Sequence, residues 1–141
     1  DNNSTGILNN SGRLDNNSTG TLNNNGTLNN NSGSSFSNNG EFNNNSTGTL
    51  NNNGAFENRG ILVSTGTVDG TGTFTQANGY SRIAGSFTQS AIDISGGALS
   101  GSGTIRGAVA DSGGIIQGGS SGVPGALTID GSFTLEARCW C

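Results

Sequence analysis

A 14-residue repeat fills positions 1–56 and leaves this chain very few ways to fold. Residues 1–14 (DNNSTGILNNSGRL), 15–28 (DNNSTGTLNNNGTL), 29–42 (NNNSGSSFSNNGEF) and 43–56 (NNNSTGTLNNNGAF) align without a gap. Large apolar residues recur at intervals that alternate between six and eight. This spacing matches no helical face, and the intervening Gly and Asn are poor helix formers. The apolar anchors are Leu8, Leu14, Leu22, Leu28, Phe36, Phe42, Leu50 and Phe56.

The pattern continues beyond the repeat in a looser form. The next anchors follow at intervals of six, each two residues after a glycine, and no linker separates the two zones. We therefore predict one continuous stack with Asn-rich repeats over residues 1–56, divergent coils over residues 57–136 and a C-terminal tail over residues 137–141. The next three anchors are Leu62, Val68 and Phe74.

Each repeat unit reads as a short strand followed by an Asn- and Gly-rich turn. Neighbouring residues of a strand face opposite sides, so one apolar side chain per strand points inward. One unit cannot bury that side chain alone, but units stacked about 4.8 Å apart bury it against the next coil. Asn side chains stacked in register are predicted to form amide ladders along the axis. The predicted fold is therefore all-β, a single-stack parallel β-solenoid with the eleven anchors as core rungs.

The number of strands in one coil stays open at this stage. A two-sided coil as long as one repeat would stack every repeat in register, and register arguments favour it. A three-sided coil would alternate in length between twenty and twenty-two residues, with an extra Ser-Thr pair bulging at a corner.

Composition excludes several classes of protein. Hydrophobic residues make up 29% of the chain, below the usual ~45–50% of globular domains, so a thick core is out of reach. Charged residues are only 10%, whereas disordered chains usually carry many. A net charge of −4 with five Arg and no Lys offers no basic patch for nucleic acid. No apolar run approaches the ~20 residues of a membrane span, so no membrane insertion is expected.

Candidate catalytic and metal-binding groups are sparse. The chain has no His, which removes histidine-based triads and histidine metal ligands. Asp1, Asp15 and Glu57 occupy equivalent repeat positions and are predicted to line one corner. Such a row is either a solvated corner or a weak Ca²⁺ site with Asn carbonyl oxygens as further ligands. We predict a chain that is not an enzyme and has no cofactor beyond such weakly bound Ca²⁺.

Two polar motifs carry further interpretations. Asn3, Asn17 and Asn45 each begin an Asn-Ser-Thr sequon, which is typical of exposed turns in secreted chains but also arises by chance in this composition. Residues 65–67 and 71–73 both read Thr-Gly-Thr. If the two pairs stacked on one face, they would form an outward threonine array such as an ice-binding surface uses; otherwise they reflect the strand preference of Thr.

The only cysteines, Cys139 and Cys141, stand in the C-terminal Cys-Trp-Cys sequence. A disulfide between residues two apart would be strained. The segment is therefore either a loose tail or a source of intermolecular disulfides that join subunits in an oxidising compartment.

The second half resembles the passenger regions of bacterial autotransporters and similar secreted proteins with haemagglutinin-type repeats. The resemblance rests on residues 85–89 (GSFTQ), 99–105 (LSGSGTI), 114–119 (GIIQGG) and 124–136 (PGALTIDGSFTLE), in that order. It implies a right-handed, three-sided parallel β-helix, export from the cell and display on its surface. It implies no particular ligand.

These observations favour a structural or adhesive role outside the cell. We predict a subunit of a surface fibre, sheath or adhesin stalk that associates with itself end to end. The alternative is a module that binds a glycan, a host surface or ice without self-assembly. An enzyme of the polysaccharide-cleaving β-helix type ranks last, because the five Arg stand far apart in the sequence.

Overall fold

The computed structural model describes residues 1–120 and 122–136, which form an all-β parallel solenoid of about six turns. No helix occurs among these described residues. Most strands are three or four residues long, because a turn rich in Asn, Ser and Gly follows each one. The strands are β1 (Ile7–Asn10), β2 (Arg13–Asn16), β3 (Thr21–Asn24), β4 (Thr27–Asn30), β5 (Ser35–Asn38), β6 (Glu41–Asn44), β7 (Thr49–Asn52), β8 (Ala55–Asn58), β9 (Ile61–Ser64), β10 (Thr67–Asp69), β11 (Thr73–Gln76), β12 (Tyr80–Ile83), β13 (Ser86–Ile94), β14 (Ala98–Gly101), β15 (Thr104–Asp111), β16 (Ile115–Gly118), β17 (Thr128–Asp130) and β18 (Phe133–Leu135).

Strand pairing makes the solenoid three-sided. In the first coils each strand pairs in parallel with the strand three places along the chain, as β1 does with β4 and β2 with β5. Each coil therefore contains three strands, and the two-sided coil as long as one repeat is wrong. The right-handed sense of the solenoid stays a prediction, because left-handed and right-handed solenoids have the same strand pairing.

The coils present three faces, which we number by their first strand. Strands β13 and β15 continue around a corner, so faces 1 and 2 join into one 12-stranded sheet, whereas face 3 is a separate six-stranded sheet. Face 1 consists of β1, β4, β7, β10, the first parts of β13 and β15, and β17. Face 2 consists of β2, β5, β8, β11, the second parts of β13 and β15, and β18. Face 3 consists of β3, β6, β9, β12, β14 and β16.

The repeat and the coil have different lengths, and the ratio of the two lengths explains why equivalent positions of successive repeats lie on different sides of the solenoid. Ile7 pairs with Thr27, twenty residues on, and Thr27 pairs with Thr49, twenty-two residues on. Two successive coils thus have the same length as three repeats. Because one repeat supplies two strands, it covers two-thirds of a turn. The inserted pair, which is Ser-Gly in residues 29–42 and Ser-Thr in the other three repeats, therefore falls at a different corner in each successive repeat.

The inward apolar residue is the second residue of the strand, and these residues stack into a continuous core. Those in the first coil are only partly buried, whereas those of the next coils are at most 1% exposed. The partly buried rungs are Leu8, Leu14 and Leu22. The fully buried rungs are Leu28, Phe36, Phe42, Leu50, Phe56, Leu62, Val68 and Phe74.

An asparagine at the fourth strand position also points inward and braces a corner. The Nδ2 of Asn30 donates to Oδ1 of Asn52 at 2.6 Å and to the carbonyl oxygen of Ala55 at 3.0 Å. Its own Oδ1 accepts a hydrogen bond of 2.7 Å from Asn10. The bond to Ala55 ties the end of one face to the start of the next face, one coil further on. The amide thus holds both the stacking of the coils and the bend of the chain.

Three such internal ladders run along the axis, one at each corner. No buried side-chain nitrogen or oxygen of the described residues lacks a hydrogen-bond partner, so these interior amides carry no desolvation penalty of an unpaired group. The ladders are Asn2, Asn24, Asn44 and Ser64; Asn10, Asn30, Asn52 and Gln89; and Asn16, Asn38, Asn58 and Gln76.

The glycines at the corners allow the coils to approach each other. A Cβ at Gly60 would overlap the carbonyl oxygen of Gly40 in the coil below, whereas a Cβ at Gly12 would meet no atom within 4 Å. We expect Gly60→Ala to lower the free energy of unfolding by about 1–3 kcal/mol, the usual cost of overpacking. Gly12→Ala should raise it by up to about 1 kcal/mol through the entropy of the unfolded chain. Urea denaturation followed by circular dichroism measures both, and equal effects would contradict this account of the corner.

Candidate functional site

Any site on the described part of this rod must use the side chains that point outward, at the first and third strand positions. On face 1 the first strand position carries Ile7 in the first coil and a hydroxyl group in each later coil, and these hydroxyl groups form a column with a spacing of about 4.8 Å. Asn side chains at the third position form a second column, in which Asn29 donates to Asn9 at 2.7 Å and Asn51 donates to Asn29 at 2.8 Å. The hydroxyl column consists of Thr27, Thr49, Thr67, Ser86, Thr104 and Thr128.

The two Thr-Gly-Thr motifs do not lie on a common face. Thr67 belongs to face 1, where it pairs with Thr49, and Thr73 belongs to face 2, where it pairs with Ala55. The interpretation in which these two motifs stack on one face is therefore excluded, because six residues span one strand and one turn and so lead to the next face. Sequence reasoning misses the longer hydroxyl column because its members are a whole coil apart in the chain, and only strand pairing reveals them.

The acidic residues do not line one corner. Asp15 and Glu57 share an outward column of face 2 with Ser37 between them. Asp1 instead accepts a 2.7 Å hydrogen bond from Asn23 of face 3. The predicted single row is therefore wrong, since one repeat spans two-thirds of a turn. Within residues 1–120 and 122–136, no three His, Cys, Asp or Glu side chains come together as metal ligands.

The ion pairs of the described residues are isolated and exposed. Each joins an Arg to one carboxylate near the surface, where such a pair contributes about 0–1 kcal/mol. These ion pairs do not form a cluster of charges around a cleft. The interpretation that the chain is not an enzyme stays a prediction. The pairs are Arg13 with Asp15 at 2.6 Å, Arg59 with Glu57 at 2.9 Å and Arg106 with Asp130 at 3.3 Å.

Depressions interrupt the surface of the described residues. One of about 60 Å³ lies where Arg82 and Gly101 meet Pro124, and one of about 290 Å³ lies beneath the Thr19 bulge beside Glu41. Each is lined by only one charged side chain. Neither arrangement pairs an acid with a base, so neither suggests a reaction.

The sequons lie at the corner turns. Asn3 and Asn17 are exposed, and in each turn the Gly that follows the Ser-Thr pair donates its backbone N–H to the Asn carbonyl oxygen at 2.7 Å. Asn45 is half-buried and donates through Nδ2 to Asn25 Oδ1 at 2.9 Å. The three turns share one geometry, because Gly48 likewise donates its backbone N–H to the Asn45 carbonyl oxygen at 2.7 Å.

Cys139 and Cys141, the predicted intermolecular disulfide residues, lie outside the described residues. In the part of the chain that the structure does describe, no helix is long and apolar enough to cross a membrane.

Comparisons with known proteins returned nothing similar: no family model, no curated protein and no solved structure matches this chain. The resemblance to autotransporter and haemagglutinin-repeat proteins therefore rests on the sequence motifs and on the β-solenoid fold.

Proposed function

We propose that this chain is an extracellular structural protein, a solenoid rod that serves as a subunit of a surface fibre or sheath or as part of an adhesin stalk. The observation that carries the proposal is the continuous parallel pairing along one axis, reinforced by three internal amide ladders. Such a stack holds its shape with a thin core, which suits a chain with so few apolar residues. The resemblance to bacterial surface proteins supports the extracellular location.

The same regularity supports association end to end. Each coil offers its neighbour a row of strand N–H and C=O groups and, in the Asn-rich zone, a ring of three amides. A second copy placed in line with the first would therefore meet hydrogen-bonding groups in nearly the same arrangement as those between neighbouring coils of its own chain. The proposed partner is therefore a further copy of this chain, stacked along the solenoid axis.

Electron microscopy of the purified chain at rising concentration tests this proposal. We expect filaments with an axial repeat of about 4.8 Å. Leu14→Lys should suppress them, because it places a charge on a half-buried rung of the first coil, over which another copy would stack. Thr67→Lys, on the exposed side of face 1, is the control that should still form filaments. Monomers at every concentration would contradict end-to-end assembly.

A surface-binding module is the second candidate, and the hydroxyl column of face 1 is the observation that favours it. Evenly spaced hydroxyl groups on a rod could match a repeating ligand such as a glycan, a host surface or ice. The variant Thr67→Lys separates the two functions, because it interrupts the hydroxyl column and leaves the ends of the rod unchanged. Loss of glycan or ice binding in this variant, with no filaments in the parent chain, would favour the binding module.

A further inference from the structure

Face 3 differs from the other two faces in the character of its outward side chains. Its register runs without a shift through all six strands, so its outward residues form two straight columns. The first-position column is Thr21, Glu41, Ile61, Tyr80, Ala98 and Ile115. The third-position column is Asn23, Asn43, Val63, Arg82, Ser100 and Gln117.

The middle and far coils of face 3 form an exposed apolar strip. Ile61 is 46% exposed and Ile115 is 60% exposed, although both lie in strands rather than in turns. Tyr80 and Ala98 lie between them in the same column, and Val63 lies beside Ile61. Face 1 carries hydroxyl groups at the first position of these coils. A contiguous apolar strip along the side of the rod indicates a contact surface. The other exposed large apolar side chains lie toward the two ends of the rod, at Ile7, Val123, Phe133 and Leu135.

Tyr80 lies along this face rather than away from it. Ser100 points outward in the next coil, yet it is completely buried and its Oγ donates to the Tyr80 hydroxyl at 2.7 Å. Ser100 pairs with Arg82, so it is a diagonal neighbour of Tyr80, about 7–8 Å away and within reach of an aromatic side chain. The ring therefore covers Ser100 and adds to the apolar strip.

We propose that a second copy of this chain packs against face 3, with a two-fold axis parallel to the solenoid axis. Under this symmetry, the first-position column of one copy faces the third-position column of the other in the same coil. Ile61 then meets the partner's Val63, and Tyr80 meets the partner's Arg82. These are an apolar contact and a cation–π contact, each formed twice.

The placement of the two charged residues favours this arrangement over one in which the two-fold axis crosses the rod between the coils of Ile61 and Tyr80. Glu41 and Arg82 are the only charged residues in the two columns, and the parallel axis places Glu41 opposite the partner's Asn43, so no like charges meet. A two-fold axis across the rod, between the coils of Ile61 and Tyr80, would instead place Arg82 opposite the partner's Val63 and Glu41 opposite the partner's Ala98. Both charges would then face apolar groups and lose hydration without compensation.

The size of the face predicts a weak dimer. Four residues across and six strands along give about 13 Å by about 24 Å, or roughly 310 Å² of projected area. A standard stable interface buries about 800 Å² on each partner, so the pair should form only at high concentration or along neighbouring filaments, where many contacts act together. This lateral pairing does not rest on end-to-end stacking, which uses different surfaces.

Chemical cross-linking can trap so weak a pair. In a Cys139→Ser, Cys141→Ser background, one tagged chain carries Ile61→Cys and a differently tagged chain carries Val63→Cys. A short bis-maleimide reagent should join the two chains at least about fivefold more efficiently than it joins Val63→Cys with Thr67→Cys, whose new thiol lies on face 1. The fivefold criterion is about 1 kcal/mol of preference at room temperature.

Two results would overturn the proposal. Equal cross-linking in the Thr67→Cys control would mean random collision. Preferential joining of Ile61→Cys to a Tyr80→Cys chain would mean that the two-fold axis crosses the rod. Electron microscopy of the parent chain remains a separate test, because filaments without lateral pairs would remove this interface and leave the proposed rod intact.

Discussion

Asn38→Asp is expected to destabilise the solenoid by about 3–5 kcal/mol, a large part of the roughly 5–15 kcal/mol that holds a typical domain folded. Asn38 is 1% exposed. Its Nδ2 donates to Asn58 Oδ1 at 2.7 Å and to the Ile61 carbonyl oxygen at 2.8 Å. In the aspartate an oxygen atom replaces Nδ2, so that it faces the Asn58 and Ile61 oxygen atoms with no hydrogen between them. The buried negative charge of the carboxylate also has no counter-charge. Only the bond accepted from Asn16, at 2.8 Å, can persist.

The neighbouring residue supplies a matched control. Asn39 follows Asn38 in the chain and is exposed at the corner. Asn39→Asp adds the same charge to the same turn and should change the free energy of unfolding by no more than about 0.5 kcal/mol. Urea denaturation of both variants at pH 7 measures the difference, and similar values would contradict the bracing role of the inward amide.

The pH dependence of the Asn38→Asp variant gives a second, independent signature. Burial raises the pKa of this new carboxyl in the folded state above its unfolded value of about 3.9. The folded chain then binds the proton more tightly, so the destabilisation grows as pH rises above the unfolded pKa and shrinks as pH falls below it. The gap between the variant and the parent chain should therefore narrow from pH 7 to pH 3.5. The Asn39→Asp variant should show no such narrowing.

Phe56→Ala is expected to cost about 3–5 kcal/mol, the usual range for removing a buried aromatic ring. Phe56 is 1% exposed and stacks on Phe36 with ring centroids 4.6 Å apart and planes 7° from parallel. It also meets Phe74 edge to face at 5.1 Å. Each such pair adds about 0.5–1.5 kcal/mol beyond area burial, so the loss should fall at the upper end of the range.

Two further variants make the core prediction specific. Phe133 occupies the same column at the far coil, yet it is 50% exposed, so Phe133→Ala should cost less than about 1 kcal/mol. Phe56→Leu keeps an apolar rung like Leu14 in that column and should cost less than about 1.5 kcal/mol. Thermal or urea unfolding measures the free energy of unfolding of the three variants, and Phe56→Ala should be the least stable of them. If Phe133→Ala matched Phe56→Ala, the stacked rings would not be the source of the stability.

Much of the interior could have been derived from the sequence alone. The two-residue spacing of Leu28 and Asn30, repeated from Leu8-Asn10 to Phe56-Asn58, places both side chains on one side of a strand. The sequence-based prediction applies this alternation to the apolar residues and assigns the asparagines to the turns. The structure instead buries one Asn of each group, because the amide can bond to the next coil and to the backbone across the corner.

The outer surface was much harder to derive. Asp1 and Asp15 occupy the same place in the repeat but different faces of the solenoid, because the repeat spans two-thirds of a turn. Ile61 and Tyr80 stand side by side although they are far apart in the chain. No local pattern relates such residues, since their proximity follows from the length of the coil. The hydroxyl column of face 1 and the apolar strip of face 3 emerge only when that length is known.

The 14-residue repeat therefore determined by itself that this chain is a parallel stack of short strands with apolar rungs and asparagine ladders. Those features follow from the alternation of side chains along a strand and from the turn preference of Asn and Gly. Only the tertiary structure decided that three strands close one coil. That choice depends on bonds between distant residues, such as the amide of Asn30 and the carbonyl oxygen of Ala55, which set the corner and the coil length together.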